Sequence, residues 1–153
     1  MAAMEPIEGL RAELDRLQPA DFDDMHENAD GVERLAAVCD ELPGSADAQL
    51  WMPLLFALFE RLNDVDLGSP GPAVHTLEAT GSGYLPLLAD SVRRKPTPLT
   101  VWMVNRVLNQ HPSDRAAWME LLESVQGAPT ASDEAVNDAR RFLAYQRGQQ
   151  PGH

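Results

Sequence analysis

The sequence predicts an all-α protein. Three observations carry that expectation. Apolar residues recur at three- and four-residue spacing along most of the chain, and Pro and Gly fall between those periodic stretches. No segment shows the sustained period-two alternation, or the clustered Val, Ile and Thr, of a sheet protein. With 153 residues, 44% of them apolar and 24% charged, the chain is long enough to bury a core as one ordinary domain. That domain is expected over 1–147, with a flexible tail over 148–153.

Element by element, the first helix is expected from about Glu5 to Leu17, with Ile7, Leu10, Leu14 and Leu17 on one stripe and Gln18-Pro19 ending it. Ala20 to Asp30 reads as an acidic connector. A second helix follows over about Gly31 to Leu42. Asp30 and Glu33 have capping-box spacing, and Val32, Leu35, Ala36, Val38 and Cys39 form its expected buried side. The third, Ala48 to Leu62, carries large apolar residues around nearly its whole circumference and is expected to be the central helix, with Pro53 tolerated only near its first turn. Beyond the Gly68-Ser69-Pro70-Gly71 break come a short helix to about Ala79 and another from about Tyr84 to Arg94. Lys95-Pro96-Thr97-Pro98 is a corner in which Thr97 caps and Pro98 opens a helix to about Gln110. After Pro112, Ser113 is expected to cap a helix burying Ala117, Trp118, Leu121, Leu122 and Val125. Ser132 opens the last helix, burying Val136, Ala139, Phe142 and Leu143. About eight helices of this length in short-loop succession suit a right-handed, HEAT-like α-solenoid better than a four-helix bundle.

The longest apolar run, Leu50 to Phe59, is about half of the ~20 residues a membrane span needs, and Glu60 and Arg61 follow at once. No membrane association is expected, and with no export signal at the N-terminus the cytoplasm is the default address. Cys39 is the only cysteine, and its neighbours Leu35, Val38 and Leu42 at helical spacing point to a core position.

Charge is unevenly distributed. Met1 to Asp66 holds 16 acids against 4 Arg, a net of −12, whereas the remainder holds 8 acids against 8 Lys or Arg. A nucleic-acid backbone is repelled by such a half, and its complement is a basic protein surface. Asp21, Asp23, Asp24, Glu27 and Asp30 surround Phe22 and Met25, with Asp64 and Asp66 further along. The run reads either as a solvated loop or as a partner-docking loop in which Phe22 and Met25 are apolar anchors. A calcium loop would need a sixth-position Gly and a twelfth-position Glu, which the run lacks.

Catalytic and metal chemistry finds little support. His26, His75, His111 and His153 lie far apart, so no zinc site and no cofactor are expected. His75 and Glu78 sit three apart, a spacing met more often in packing pairs than in catalytic dyads, and Gly81-Ser82-Gly83 lacks the lysine of a phosphate loop. The helix from Pro98 to Gln110 is apolar yet carries Asn105, Arg106 and Asn109. These are expected to serve a structural role by tying down neighbouring loop carbonyls, including those of the Gly-Pro break.

The stretches Gly68-Ser69-Pro70-Gly71-Pro72-Ala73-Val74-His75 and Arg94-Lys95-Pro96-Thr97-Pro98-Leu99-Thr100-Val101-Trp102-Met103-Val104-Asn105-Arg106 resemble a family of small helical immunity proteins found beside bacterial polymorphic toxins, of contact-dependent inhibition and Rhs type. The resemblance spans roughly Gly68 to Tyr145. It implies a cytoplasmic, non-catalytic protein that binds and blocks one cognate toxin domain. Charge favours a basic nuclease as that toxin, though a deaminase or an ADP-ribosyltransferase with a basic cleft fits as well. The other reading of the chain is a HEAT-like scaffold or adaptor subunit of a larger complex.

Overall fold

A computed structural model describes residues 4–23, 29–42, 48–63, 67 and 71–148. Among them the chain is all-helical. In order come α1 (Met4–Arg16), a 3-10 turn (Pro19–Phe22), α2 (Gly31–Glu41), α3 (Ala48–Arg61), α4 (Pro72–Glu78), α5 (Leu85–Arg94), α6 (Pro98–Asn109), α7 (Arg115–Val125) and α8 (Asp133–Gly148). No described helix is long and apolar enough to cross a membrane. Internal contacts divide the chain, expected as one domain, into two compact units, Met1–Leu87 and Leu88–His153, the division falling within α5.

In the first unit α1 packs on α2 and α3, and α2 packs on α4 and on the 3-10 turn. Leu10, Leu14 and Leu17 of the first helical stretch are buried as their spacing requires, as are Trp51, Leu55, Phe56 and Phe59 of α3. The Phe56 and Phe59 rings meet edge to face at 5.5 Å, the geometry that aromatic quadrupoles favour. Two expected features of this unit differ. The buried stripe of α2 is Gly31, Leu35, Val38 and Cys39, whereas Val32 is 39% exposed. Asp30 makes no side-chain cap. The reason is close approach: a Cβ at Gly31 would lie 2.7 Å from the Asp21 carbonyl oxygen and 2.8 Å from the Phe22 ring, so the glycine face has to turn inward.

The expected wrapping of α3 on nearly every side is also incomplete. Leu50, Pro53 and Ala57 are exposed and Leu54 is half-buried, all on one face. Pro53 is the sixth residue of α3 rather than part of its first turn, so its missing N–H removes the helical donor to the Gln49 carbonyl. Gln49 is itself exposed, and water can solvate that group. At the far end of α3, Arg61 donates to the carbonyls of Leu14 and Leu17, each at 2.9 Å. One guanidinium thereby ties α3 to the end of α1, where the Leu14 carbonyl also accepts from the Leu17 N–H at 3.1 Å.

In the second unit the corner before α6 forms as expected. The Thr97 side chain accepts from the Thr100 N–H at 3.1 Å, and the Thr100 side chain accepts from the Thr97 N–H at 3.1 Å, both side chains being fully buried. The chain leaves α6 through His111, whose φ of 54° is the left-handed conformation typical of a helix end. Ser132 caps α8, accepting from the Ala135 N–H at 3.2 Å. Ser113 caps nothing that is resolved at α7, where Asp114 holds the cap position and accepts instead from the Trp118 indole at 3.1 Å.

α8 packs on both α6 and α7. Thr130, before α8, bonds the Arg94 carbonyl before α6, and Gln146 near the end of α8 bonds Asn105 and Asn109 near the end of α6. With both ends matched, α6 and α8 run parallel, and α7 runs back alongside both. Met119 is buried in place of the expected Ala117. On α8 Ala135, Ala139, Leu143 and Gln146 are buried, while Val136 and Phe142 are only half-buried.

Candidate partner-binding surface

The acidic half is electrostatically one-sided at the level of individual side chains. Each of its four arginines is engaged internally. Arg11 pairs with Glu8 at 3.9 Å, Arg16 with Glu13, and Arg34 with Asp21 at 3.2 Å and Asp30 at 3.6 Å. Arg61 is committed to the α1 carbonyls. Exposed carboxylates stand on two helices: Glu8, Glu13 and Asp15 on α1, and Glu33, Asp40 and Glu41 on α2. On α2 these acids share the outer face with exposed Ala37. Surface ion pairs of this kind add little stability, so the arrangement chiefly sets a field.

The expected docking residues divide into four groups. Asp24, Met25, Glu27, Asp64 and Asp66 lie outside the described residues. Asp21 and Asp30 bracket Arg34, and Asp21 also accepts from the Gln18 N–H at 2.8 Å, closing the 3-10 turn. Asp23 is exposed. Phe22, expected as an anchor for a partner, is 8% exposed and lies against Gly31. It anchors this chain's own turn to α2. The signal for this was Gly31 itself, four residues before Leu35 on the same helical face.

Between α1 and α3 lies a groove of about 170 Å³ whose walls include Leu14, Asp15, Leu54, Ala57 and Leu58, with Arg11 and Arg61 at its margin. A second, wider groove of about 560 Å³ lies along α7, lined by Arg115, Ala116, Met119, Glu120, Glu123 and Arg147. Arg147 and Glu123 pair across it at 2.9 Å, so its charge is mixed.

Asn105 and Asn109 of α6 meet a side chain of α8, and residues 68–70 of the Gly-Pro break, whose carbonyls they and Arg106 were expected to tie down, lie outside the described residues. Asn105 and Asn109 both accept from Gln146 Nε2, at 2.7 and 2.8 Å. Arg115 donates to Gln146 Oε1 at 3.3 Å and to its backbone carbonyl at 2.9 Å. Gln146 is 1% exposed, so each of its polar atoms needs these partners. Arg106 lies 5.0 Å above the Trp102 ring, a cation–π contact along the outer face of α6. Sequence reading missed Gln146 because a lone polar residue in the last turn of a helix carries no hydropathy signal.

Cys39 is a free, buried thiol. Burial pushes its pKa up and the neighbouring Asp40 charge adds to that, while a hydrogen bond with Thr76 opposes it. His75 is exposed and Glu78 half-buried on α4. Among the described residues no group of three His, Cys, Asp or Glu could hold a metal ion.

No protein-family model, curated protein or solved structure matches the chain.

Proposed function

We propose that this chain is an immunity protein, which binds a basic toxin domain and blocks it without catalysis of its own. The observation that carries the reading is the −12 net charge on the first 66 residues, on which every arginine is already committed within the chain. Such a surface repels nucleic acid and accelerates the approach of a basic protein. Support also comes from the resemblance of the stretches Gly68 to His75 and Arg94 to Arg106 to helical immunity proteins. A HEAT-like arrangement of the helices suits the same role. The protein acts in the cytoplasm, where its toxin arrives, and needs no cofactor. A basic nuclease domain is the toxin favoured by charge.

The test is kinetic. The toxin domain encoded beside this chain is mixed with it across a salt series. Association should be fast at low salt and fall steeply as ionic strength rises, with dissociation changing much less. An association rate indifferent to salt, or a neighbouring gene without a toxin domain, defeats the reading.

A further inference from the structure

We infer that the α1–α3 face of the first unit is the apolar seat for a basic amphipathic helix of the partner, an assignment that rests on the proposed function and adds the anchor that Phe22 does not provide. Eight of the 14 residues of α3 are large and apolar, a composition suited to a fully buried helix. One stripe of it nevertheless meets water. Leu50 is 40% exposed, Pro53 and Ala57 are exposed, and Leu54 is half-buried. These positions follow the i, i+3, i+4, i+7 rule, so they form one continuous strip that runs into the groove against Leu14 of α1.

The chemistry of the occupant follows from three features of this face. The strip is apolar and about two helical turns long, the footprint of a helix laid in a groove. Pro53, which has no N–H to offer the Gln49 carbonyl, adds its apolar ring to the strip. Arg61, at the groove margin, is already held by the Leu14 and Leu17 carbonyls and serves as wall rather than as bait. The strip belongs to the half of the chain with a net charge of −12, and Asp15 of α1 stands in the groove wall. That field repels anionic lipid and nucleic acid alike, and it attracts a helix with Lys or Arg on its polar side. Long-range charge brings the helix in, and the strip holds it.

The probe is a synthetic Leu/Lys amphipathic helix of about 14 residues. It is compared with a scrambled peptide of equal composition and with a Glu-for-Lys version, by calorimetry and by amide shift mapping on the full chain. The Leu/Lys helix should bind with shifts centred on 50–57, about tenfold more tightly than the scramble, and the Glu version should not bind. Leu50→Gln and Ala57→Gln, both at exposed positions the fold does not need, should each weaken binding by about tenfold. Ala37→Gln on α2 should leave it unchanged. Equal binding of the scramble means charge attraction alone and overturns the seat; equal binding of the Glu version overturns the basic occupant; indifference to both Gln substitutions places the contact elsewhere. If the native chain keeps its salt-dependent association with the toxin domain while the peptide ignores the groove, the seat fails and the proposed function stands. Loss of that salt dependence sinks the proposed function itself.

Discussion

Gln146 on α8 donates from Nε2 to Asn105 Oδ1 on α6 at 2.7 Å, and the same nitrogen serves Asn109 at 2.8 Å. Because Arg115 is only a donor, its bond to Gln146 Oε1 fixes which way the Gln146 amide points. Both Asn side chains must then present their oxygens inward and their NH₂ groups outward. Gln146→Leu leaves the buried end of Arg115 with fewer acceptors and should cost about 1–3 kcal/mol. Gln146→Glu should cost less, since both Asn amides can flip to donate and Arg115 gains a charged partner. Urea unfolding of the two variants checks the order; a Leu variant as stable as the native chain would show that the cluster contributes nothing.

The close approach at Gly31 gives a second prediction. A methyl group there meets the Asp21 carbonyl at 2.7 Å, and backbone cannot swing aside as a flexible side chain can. Gly31→Ala should therefore destabilise the chain by about 1–3 kcal/mol, and Phe22→Ala by about 3 kcal/mol or more through the cavity it leaves. If Phe22 were a partner's anchor instead, its removal would leave stability untouched and hasten only dissociation. Thermal unfolding of Phe22→Ala separates the two cases.

These two clusters show where the sequence was legible and where it was not. Helix positions could be read because proline and capping residues punctuate them: Thr97-Pro98 opens α6 and Ser132 opens α8 where expected. Burial on the amphipathic helices could be read wherever the stripe is made of Leu and Val. It failed where the inward residue is invisible to hydropathy, as with Gly31 in place of Val32, or Gln146 beyond Leu143. It failed again where proline lies inside an apolar helix, because the exposed strip of α3 has the same composition as its buried side. The candidate site suffered most. An acidic run looks solvent-facing throughout, yet Asp21 closes a 3-10 turn and Phe22 sits inside it. Only long-range partners such as Arg34 and Gly31 reveal that.

Cys39 gives a pH prediction. Burial raises its pKa above the unfolded value, so over the interval between the two the unfolded chain has lost a proton that the folded chain keeps. Stability should therefore be fully present below the unfolded thiol value of about 8.5 and fall as pH rises beyond it. Cys39→Ala should flatten that part of the profile. Denaturant midpoints between mildly acid and alkaline pH measure the slope, and a native profile that rises there contradicts the assignment.

Arg61 supplies a local prediction. Its two bonds to the Leu14 and Leu17 carbonyls close the end of α1, and the positive charge also complements the negative end of that helix. Arg61→Met keeps the stem and deletes the donors, and should cost about 1–2 kcal/mol. Hydrogen exchange should quicken in the last turn of α1 before it quickens in α3. Uniform quickening through both helices would mean that the side chain holds the unit by packing rather than by capping.

The charge distribution gives the prediction on which the functional reading depends. Reversing Asp21 or Asp30 is a poor probe, because both hold Arg34 and Asp21 also closes the 3-10 turn, so slower binding could come from a loosened fold. Glu33, Asp40 and Glu41 are exposed on the outer face of α2, opposite the buried Gly31 and Leu35. Changing all three to Lys removes six units of negative charge from the acidic half. It should slow association with the proposed toxin domain by about tenfold at low salt while leaving dissociation nearly unchanged. Glu120→Lys with Glu123→Lys, in the half whose acids and bases balance, should slow it far less. At about 1 M salt, where the Debye length falls to ~3 Å, the native and reversed chains should associate at similar rates. Equal slowing by both sets of reversals would show that net charge alone matters, and that the acidic helices form a solvated surface with the contact elsewhere.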